Sequence, residues 1–310
     1  MLYRITFVAL LLPSLVIGTA FAGFDEGRKA LEKGDYAAAL SELRPLADQG
    51  QPPAQVLVGE MYLTGRGVPR DDTQAVEWFR KAAAQDDADA QNNLGNMYST
   101  GRGVPADDNE AVAWYRKAAE KGYAAAEDNL GLKYLRGRGV PQDDLQAVAW
   151  FSKAADKGDA DAQNNLGYMY ANGLGMSNDQ KKAMEWYRKA ADQGYAPAQL
   201  NLGLMYSGRN TAEDDKLAAE WYRNAAEQGS ADAQYNLGLM YQFGRGVPQD
   251  DVLAYMLFSL AAASGSKTAA GNRVSIVQGL SLKQIDRVNE LTKLWRPGKP
   301  LPTDNEIMSK

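Results

Sequence analysis

A leucine-glycine pair recurs along the chain at a nearly constant interval, and no other feature narrows the possible folds as much. The glycines are Gly59 (here after Val58), Gly95, Gly131, Gly167, Gly203 and Gly238, spaced by 36, 36, 36, 36 and 35 residues. Each is followed three residues later by a tyrosine: Tyr62, Tyr98, Tyr134, Tyr170, Tyr206 and Tyr241. A period in this range marks one supersecondary unit stacked on copies of itself, in place of a compact domain with a single centre. Stacks of that kind work by presenting surface.

The units span 51–87, 88–123, 124–159, 160–195, 196–230 and 231–265, and each predicts helix, loop, helix. In the second unit Ala90, Leu94, Met97 and Tyr98 fall at helical spacing. A glycine inside a helix costs roughly 1 kcal/mol against alanine. Gly95 nevertheless recurs in register with Ala111 of the second helix, as its equivalents do with Ala75, Ala147, Ala183, Ala218 and Ala254. The expectation is a packing device, small residue against small residue, that draws two helix backbones together.

The loop reads Gly-x-Gly-Val-Pro at Gly65–Pro69, Gly101–Pro105, Gly137–Pro141 and Gly244–Pro248. Glycine supplies the positive φ that ends a helix, and proline cannot continue one. The aspartates that follow, Asp71 with Gln74, Asp107 with Glu110 and Asp143 with Gln146, have capping-box spacing. Second helices carry Trp78-Phe79, Trp114-Tyr115, Trp150-Phe151, Trp186-Tyr187 and Trp221-Tyr222, with the tryptophans expected in the core. Glycines at 122, 158, 194, 229 and 265 close these helices. The fourth unit has Gly173-Leu174-Gly175-Met176-Ser177 in its loop. The fifth is one residue shorter and reads Ser207-Gly208-Arg209-Asn210-Thr211. A local change of curvature is expected there.

Outside the repeats the chain changes character. Residues 1–22 combine Arg4, an apolar run over Ile5–Gly18 and Ala20-Phe21-Ala22 before Gly23, the pattern of a cleaved export signal too short for a spanning helix. Residues 23–50 predict a capping helix pair around Gly34-Asp35-Tyr36. Residues 266–296 predict C-terminal capping helices, with Ile285, Val288, Leu291 and Trp295 on one stripe folding over the last repeat. Residues 297–310 hold three prolines and predict a disordered tail.

Composition removes whole classes of chemistry. Cysteine and histidine are both absent, so no disulfide, no Cys/His zinc site and no Ser-His-Asp or Cys-His catalysis is possible. The chain has 34 basic and 39 acidic residues. Loss of 1–22 removes only Arg4, leaving 33 against 39, a net charge of −6. An acidic chain with no basic block is a poor nucleic-acid binder. No cofactor or metal is expected, and no membrane span in the mature chain.

The unit Ala-Asp-Ala-Gln-x-Asn-Leu-Gly-x-Met-Tyr-x-x-Gly-x-Gly-Val-Pro-x-Asp-Asp, followed by Ala-x-x-Trp-Tyr-x-Lys-Ala-Ala, resembles the Sel1-like repeat, a relative of the tetratricopeptide repeat, over residues 51–265. The resemblance implies an all-α fold, a right-handed α-solenoid of antiparallel helix pairs whose first helices line a concave side. It also implies a role as a protein-binding adaptor or scaffold. A cysteine-rich secreted branch of the family is associated with penicillin hydrolysis. This chain lacks the cysteines, so that activity is not carried over.

Two sets of residues are candidates for partner binding. Asn93, Asn129, Asn165, Asn201 and Asn236 each precede the recurring leucine. In tetratricopeptide-like stacks asparagines at the matching place form a ladder whose amides can grip the backbone of an extended peptide. The alternative is that each ties a neighbouring helix. Beside them the i, i+4 pairs vary, from Asn92/Asn96 and Asp128/Leu132 to Asn164/Tyr168, Leu200/Leu204 and Tyr235/Leu239. An apolar patch is expected around Tyr168, Leu200, Leu204, Tyr235 and Leu239, unless the C-terminal helix covers it.

Two further features carry weaker expectations. Arg66, Arg102, Arg138 and Arg245 could form a basic edge for an anionic glycan, though the neighbouring aspartates are expected to neutralise them. Ser264-x-x-Lys267 matches a serine-lysine pattern of penicillin-recognising enzymes without its companion motifs. The expected function is a non-enzymatic interaction scaffold of a bacterial envelope, periplasmic or secreted, holding a protein or peptide partner in the groove. The alternatives are polysaccharide or peptidoglycan binding and, more remotely, a β-lactamase-like hydrolase.

Overall fold

The structure, a computed structural model, describes residues 14–209 and 211–303, with side chains from Gly23 onward. The described residues form sixteen α-helices, one 3-10 turn and no strand. They divide into two compact units between Asp143 and Asp144.

The first unit runs α1 (Ser14–Lys33), α2 (Tyr36–Asp48), α3 (Pro52–Thr64), α4 (Asp72–Ala83), α5 (Ala88–Thr100), α6 (Asp108–Glu120) and α7 (Ala124–Arg136). The second runs α8 (Asp144–Asp156), α9 (Ala160–Asn172), α10 (Gln180–Asp192), α11 (Ala196–Ser207), α12 (Ala212–Glu227), α13 (Ala231–Phe243) and α14 (Asp251–Ala263). After α14 come α15 (Lys267–Ile276), the 3-10 turn Val277–Gly279 and α16 (Leu282–Leu294). Within each unit every helix up to α14 folds back on the one before it and packs against the next, the build of an α-solenoid. The export signal expected over 1–22 lies mostly outside the described residues. Helix α1 starts at Ser14 and continues past the expected cleavage point to Lys33.

The recurring glycine does act as a packing device, but its partner is an aromatic ring and not the alanine in register with it. A Cβ on Gly95 would lie 2.5 Å from the Tyr115 ring. Phe79, Tyr187, Tyr222 and Phe258 stand in the same relation to Gly59, Gly167, Gly203 and Gly238. The ring lies flat in the gap that the missing side chain leaves on the first helix. Each of these rings is no more than 4% exposed. The tryptophan one residue earlier is the outer member of the pair. Trp78 is buried, but Trp114, Trp150, Trp186 and Trp221 are only half-buried. The lysine three residues on from each of the first four lies over its ring: Lys81, Lys117, Lys153 and Lys189, at 3.6 to 3.9 Å from the centroid.

Capping follows the sequence in outline. Asp71, Asp107 and Asp250 each accept two backbone N–H bonds at the start of α4, α6 and α14. The reciprocal half expected of Gln74 is not made there, because the Asp71 N–H donates to the Tyr62 carbonyl at 2.9 Å and the Gln74 amide donates to Glu77. Among the described residues the full capping box forms at α16, between Ser281 and Gln284.

Each Gly-x-Gly loop locks onto the helix pair before it. Gly103 has φ 68° and rests on the carbonyl of Asp72, the first residue of α4, so closely that no Cβ fits. Gly139, Gly175 and Gly246 rest likewise on Asp108, Asp144 and Asp215. The loop arginines reach the carboxylate of the same residue: Arg102 with Asp72, Arg138 with Asp108, Arg245 with Asp215. Neutralisation thus comes from the aspartate about 30 residues upstream, not from the pair that follows the loop.

At the C-terminus α15 and α16 pack on α14, with Val288 of α16 fully buried and Ile285, Leu291 and Trp295 against the same core. Residues 297–303, expected to be disordered from their prolines, instead meet the C-terminal end of α12. The Gly298 amide donates to the Glu227 carbonyl at 2.7 Å, and the Leu301 amide to the Glu227 carboxylate at 3.2 Å. Leu301 is 6% exposed, and that burial is what holds the segment.

Candidate partner-binding face

The candidate residues occupy equivalent turns of the first helices. Asn93 lies on α5 and Asn129 on α7. Asn165 and Tyr168 lie on α9, Leu200, Asn201 and Leu204 on α11, and Tyr235, Asn236 and Leu239 on α13.

The asparagine side chains turn sideways along the stack. Asn129 Nδ2 donates to Asn92 Oδ1 of the preceding repeat at 3.0 Å, and Asn201 Nδ2 to Asn164 Oδ1 at 2.9 Å. Asn93 donates to Asp89 on its own helix at 3.3 Å and also reaches Glu60. Each bond satisfies a half-buried amide at the seam between neighbouring first helices. Asn165 is half-buried and has a polar partner of its own. Asn236 lines a hollow of about 180 Å³ with Leu239 and Phe243.

A second ladder, of glutamines, lies deeper. Gln55, Gln163, Gln199 and Gln234 are buried, and each donates to a carbonyl in the last turn of the preceding second helix, at 3.1 to 3.2 Å. Three of them accept a bond in turn from the glutamine that follows the second helix of their own repeat: Gln85 to Gln55, Gln193 to Gln163, Gln228 to Gln199. Sequence reasoning passed over this row. The signal was present in the recurring Ala-x-Ala-Gln, whose glutamine falls on the same buried face as the alanines. The recurring tyrosines also join repeats. Arg80, Arg116 and Arg188 donate to the hydroxyls of Tyr98, Tyr134 and Tyr206 in the following repeat.

The register position one residue after the recurring glycine changes character between the units. In the first unit it holds Glu60, Asn96 and Leu132. Burial raises the Glu60 pKa, and the neighbouring Asp89 carboxylate adds to the shift. Tyr123 donates to Asp89 at 3.0 Å, and burial followed by that charge pushes the phenol up. Asn96 accepts from the Tyr115 hydroxyl at 2.8 Å. In the second unit the same position holds Tyr168, Leu204 and Leu239. Tyr168 and Leu204 are each 46% exposed, and Leu239 is half-buried. Phe243, one turn beyond Leu239, is 65% exposed, while Leu200 and Tyr235 pack partly into the core, Tyr235 against the Phe258 ring. Helix α16 packs on α14 and leaves Leu204 and Phe243 open.

The features that could support chemistry are not assembled into a site. Ser264 ends α14 and Lys267 opens α15, both exposed, in a turn already capped by Ser266. Among the described residues no group of three acidic side chains could hold a metal ion, and no helix is long and apolar enough to cross a membrane.

The Sel1 repeat family model matches residues 52–87, 88–123, 124–159, 160–195, 196–230 and 231–266. The chain is similar in structure to a Sel1 repeat protein from Oxalobacter formigenes, with 32% identity and a TM-score of 0.69 over 77% of this chain and 96% of that one. It is also similar to c5321, a protective antigen of uropathogenic Escherichia coli with an SLR fold. There the identity is 32% and the TM-score 0.57, over 89% of this chain and 68% of the other. A comparison with the curated proteins finds no match. Sel1 repeat proteins are generally protein-interaction scaffolds, typically without catalytic activity.

Proposed function

Since the chain belongs to the Sel1 repeat family, we propose that it is an exported, non-catalytic scaffold that holds a protein partner on the first helices of its second unit. The observation that carries the reading is the row Tyr168, Leu204 and Leu239, continued by Phe243. Three successive equivalent positions of the second unit are apolar or aromatic, extending a run that begins at Leu132, and the row keeps large side chains in solvent. A contiguous exposed apolar surface on a well-packed protein marks a place where another molecule sits. Rigidity supports the same reading. Helix pairs closed by ring-in-gap contacts, and joined to the preceding repeat by buried glutamines and ion pairs, are ordered before a partner arrives, so little ordering entropy opposes binding.

An envelope glycan draws less support as the ligand. Three of the four loop arginines are paired to aspartate, and Arg66 lies over the Tyr36 ring. The tryptophans that could stack on sugar carry lysines over their faces. Export to the periplasm rests on the basic-apolar-small pattern of residues 1–22. N-terminal sequencing of protein recovered from the envelope is expected to begin at Gly23, and a chain that retains Met1 refutes export.

The scaffold reading is tested by crosslinking in the native envelope with the wild type and with Tyr168→Asp/Leu239→Asp. The double variant is expected to lose its crosslinked protein while keeping its circular dichroism. A crosslinked partner retained in full by the variant removes this face from consideration.

A further inference from the structure

The fifth repeat lacks the loop that every other repeat lays over its predecessor. Helix α11 ends at Gly208 in right-handed conformation, φ −75°, where Gly65, Gly101, Gly137, Gly173 and Gly244 all turn left-handed. No second loop glycine and no Val-Pro follow, and α12 runs for 16 residues where the other second helices of the repeats have 12 or 13. The fourth repeat is therefore left uncovered at the spot where a loop would rest.

That spot is a hollow of about 540 Å³, lined by Gln180, Lys181 and Met184 of α10 and by Leu204, Met205 and Arg209 from the end of α11. Its α10 residues are the register equivalents of Asp72, Thr73 and Val76. In the first repeat Gly103 sits on the Asp72–Thr73 peptide, Arg102 pairs with Asp72, and Val104 packs into the core that contains Val76. Val76 is fully buried, and its equivalents Val112, Ala219 and Tyr255 are no more than 5% exposed. Met184 is half-exposed, as is its third-repeat equivalent Val148, but Met184 stands beside an open hollow.

The polarity of the rim is also reversed. Asp72, Asp108 and Asp215 each await an arginine from the next loop, whereas the fourth repeat has Gln180 at that place. Lys181 and Arg209 stand at the mouth, and Arg209 is only loosely held by Asp214 at 3.6 Å. Among the described residues no carboxylate lines the hollow.

We propose that this hollow receives an extended segment of the partner protein. That segment takes the place of the missing loop: a small residue on the Gln180–Lys181 peptide, an apolar side chain against Met184 and Leu204, and an acidic residue where other loops carry arginine. The proposal rests on the scaffold reading and names the chemistry of the partner for it. The occupant follows from two facts of the fold. Polypeptide fills the equivalent place in the neighbouring repeats, and here the charge that greets it has changed sign.

The test uses purified protein and two fluorescein-labelled twelve-residue peptides. One is centred on Gly-Glu-Gly-Val-Pro and the other on Gly-Arg-Gly-Val-Pro. Fluorescence anisotropy is expected to show saturable binding of the glutamate peptide, at least tenfold tighter than the arginine peptide. Lys181→Glu is expected to reverse that preference, and Met184→Asp to weaken the glutamate peptide at least tenfold. Both substitutions fall on residues open to solvent, and a thermal melt confirms that each variant is folded. Absence of saturable binding up to about 1 mM, equal binding of the two peptides, or binding indifferent to Met184→Asp overturns the proposal. Uptake of decanoate with neither peptide bound also overturns it, in favour of a site for an alkyl chain. If the peptides fail while Tyr168→Asp/Leu239→Asp still abolishes the envelope crosslink, the hollow is unoccupied and the scaffold reading stands. Loss of both removes the two together.

Discussion

Arg102 of the second repeat grips Asp72 of the first with two parallel bonds, Nε to Oδ2 at 2.9 Å and Nη2 to Oδ1 at 2.8 Å. The contact is part of the joint between repeats, because Asp72 is also the residue on which Gly103 rests. Arg102 and Arg70 together hold the Asp72 carboxyl well below the usual carboxylate range.

A pH dependence follows from that shift. A carboxylate whose pKa is lower folded than unfolded contributes stability above its unfolded value of about 3.9, and the contribution fades as pH falls through the folded value. Asp72→Asn is therefore expected to be less stable than the wild type at pH 7, with the deficit shrinking as pH falls below about 3.9. The Arg102 side chain is 37% exposed, so solvent screening limits the deficit to about 1 kcal/mol. Urea unfolding of Asp72→Asn, Arg102→Gln and the double variant, at pH 7 and pH 2.5, measures it. An undiminished deficit at pH 2.5 assigns the loss to helix capping or packing and not to charge.

Gly203 and Tyr222 give a prediction opposite to helix propensity. Alanine favours a helix by roughly 1 kcal/mol over glycine. A Cβ on Gly203, however, would stand 2.6 Å from the Tyr222 ring, which is 2% exposed and has nowhere to move. Gly203→Ala is expected to destabilise by about 1–3 kcal/mol through overpacking, read from the urea midpoint. Adding Tyr222→Leu is expected to recover part of the loss. A variant as stable as the wild type refutes the ring-in-gap account.

The asparagine row and the apolar row separate by experiment. Asn201→Ala removes the bond to Asn164 and is expected to cost about 1 kcal/mol of stability while the envelope crosslink persists. Leu204→Asp changes a side chain that is nearly half in solvent. It is expected to leave stability within about 1 kcal/mol and to abolish the crosslink. The opposite pattern, partner loss with Asn201→Ala alone, returns the amides to the binding role that the sequence suggested for them.

The difference between what the sequence disclosed and what it did not has a physical basis. The 36-residue period shows the helix pairs directly, because each pair needs the same leucine, glycine and tyrosine in the same register to bury its neighbour. The aspartate caps were legible for a similar reason, since Asp71 and Asp107 act on amides two and three residues away. Whether Trp114 or Tyr115 enters the gap at Gly95 depends on helix rotation, which spacing along the chain does not determine. The direction of the Asn129 and Asn201 amides, and the depth of the Gln163, Gln199 and Gln234 row, depend on how far apart neighbouring first helices stand. The altered loop of the fifth repeat was visible as a short Ser207–Thr211 stretch. That it uncovers Met184 emerges only when the other loops are seen resting on the preceding repeat.

The C-terminal strap carries the last prediction. Prolines at 297, 300 and 302 keep the segment out of helix, and its attachment comes from Leu301, the two bonds to Glu227 and the Trp295 indole, which donates to the Lys299 carbonyl at 3.1 Å. Pro297 also rests on Gly229, where a side chain would collide with its ring. Leu301→Asp puts a charge into a site that is 6% exposed and forfeits about 1.5–3 kcal/mol of apolar burial. The strap joins the end of α12 to the helix that covers α14, so its release is expected to loosen the last repeat and leave the first unit intact. Hydrogen exchange is the direct reading: faster exchange in α12 and α16 in Leu301→Asp, with α3 to α6 unchanged. Unaltered protection at α16 means that the capping helix holds without the strap, and that Leu301 is buried without supporting it.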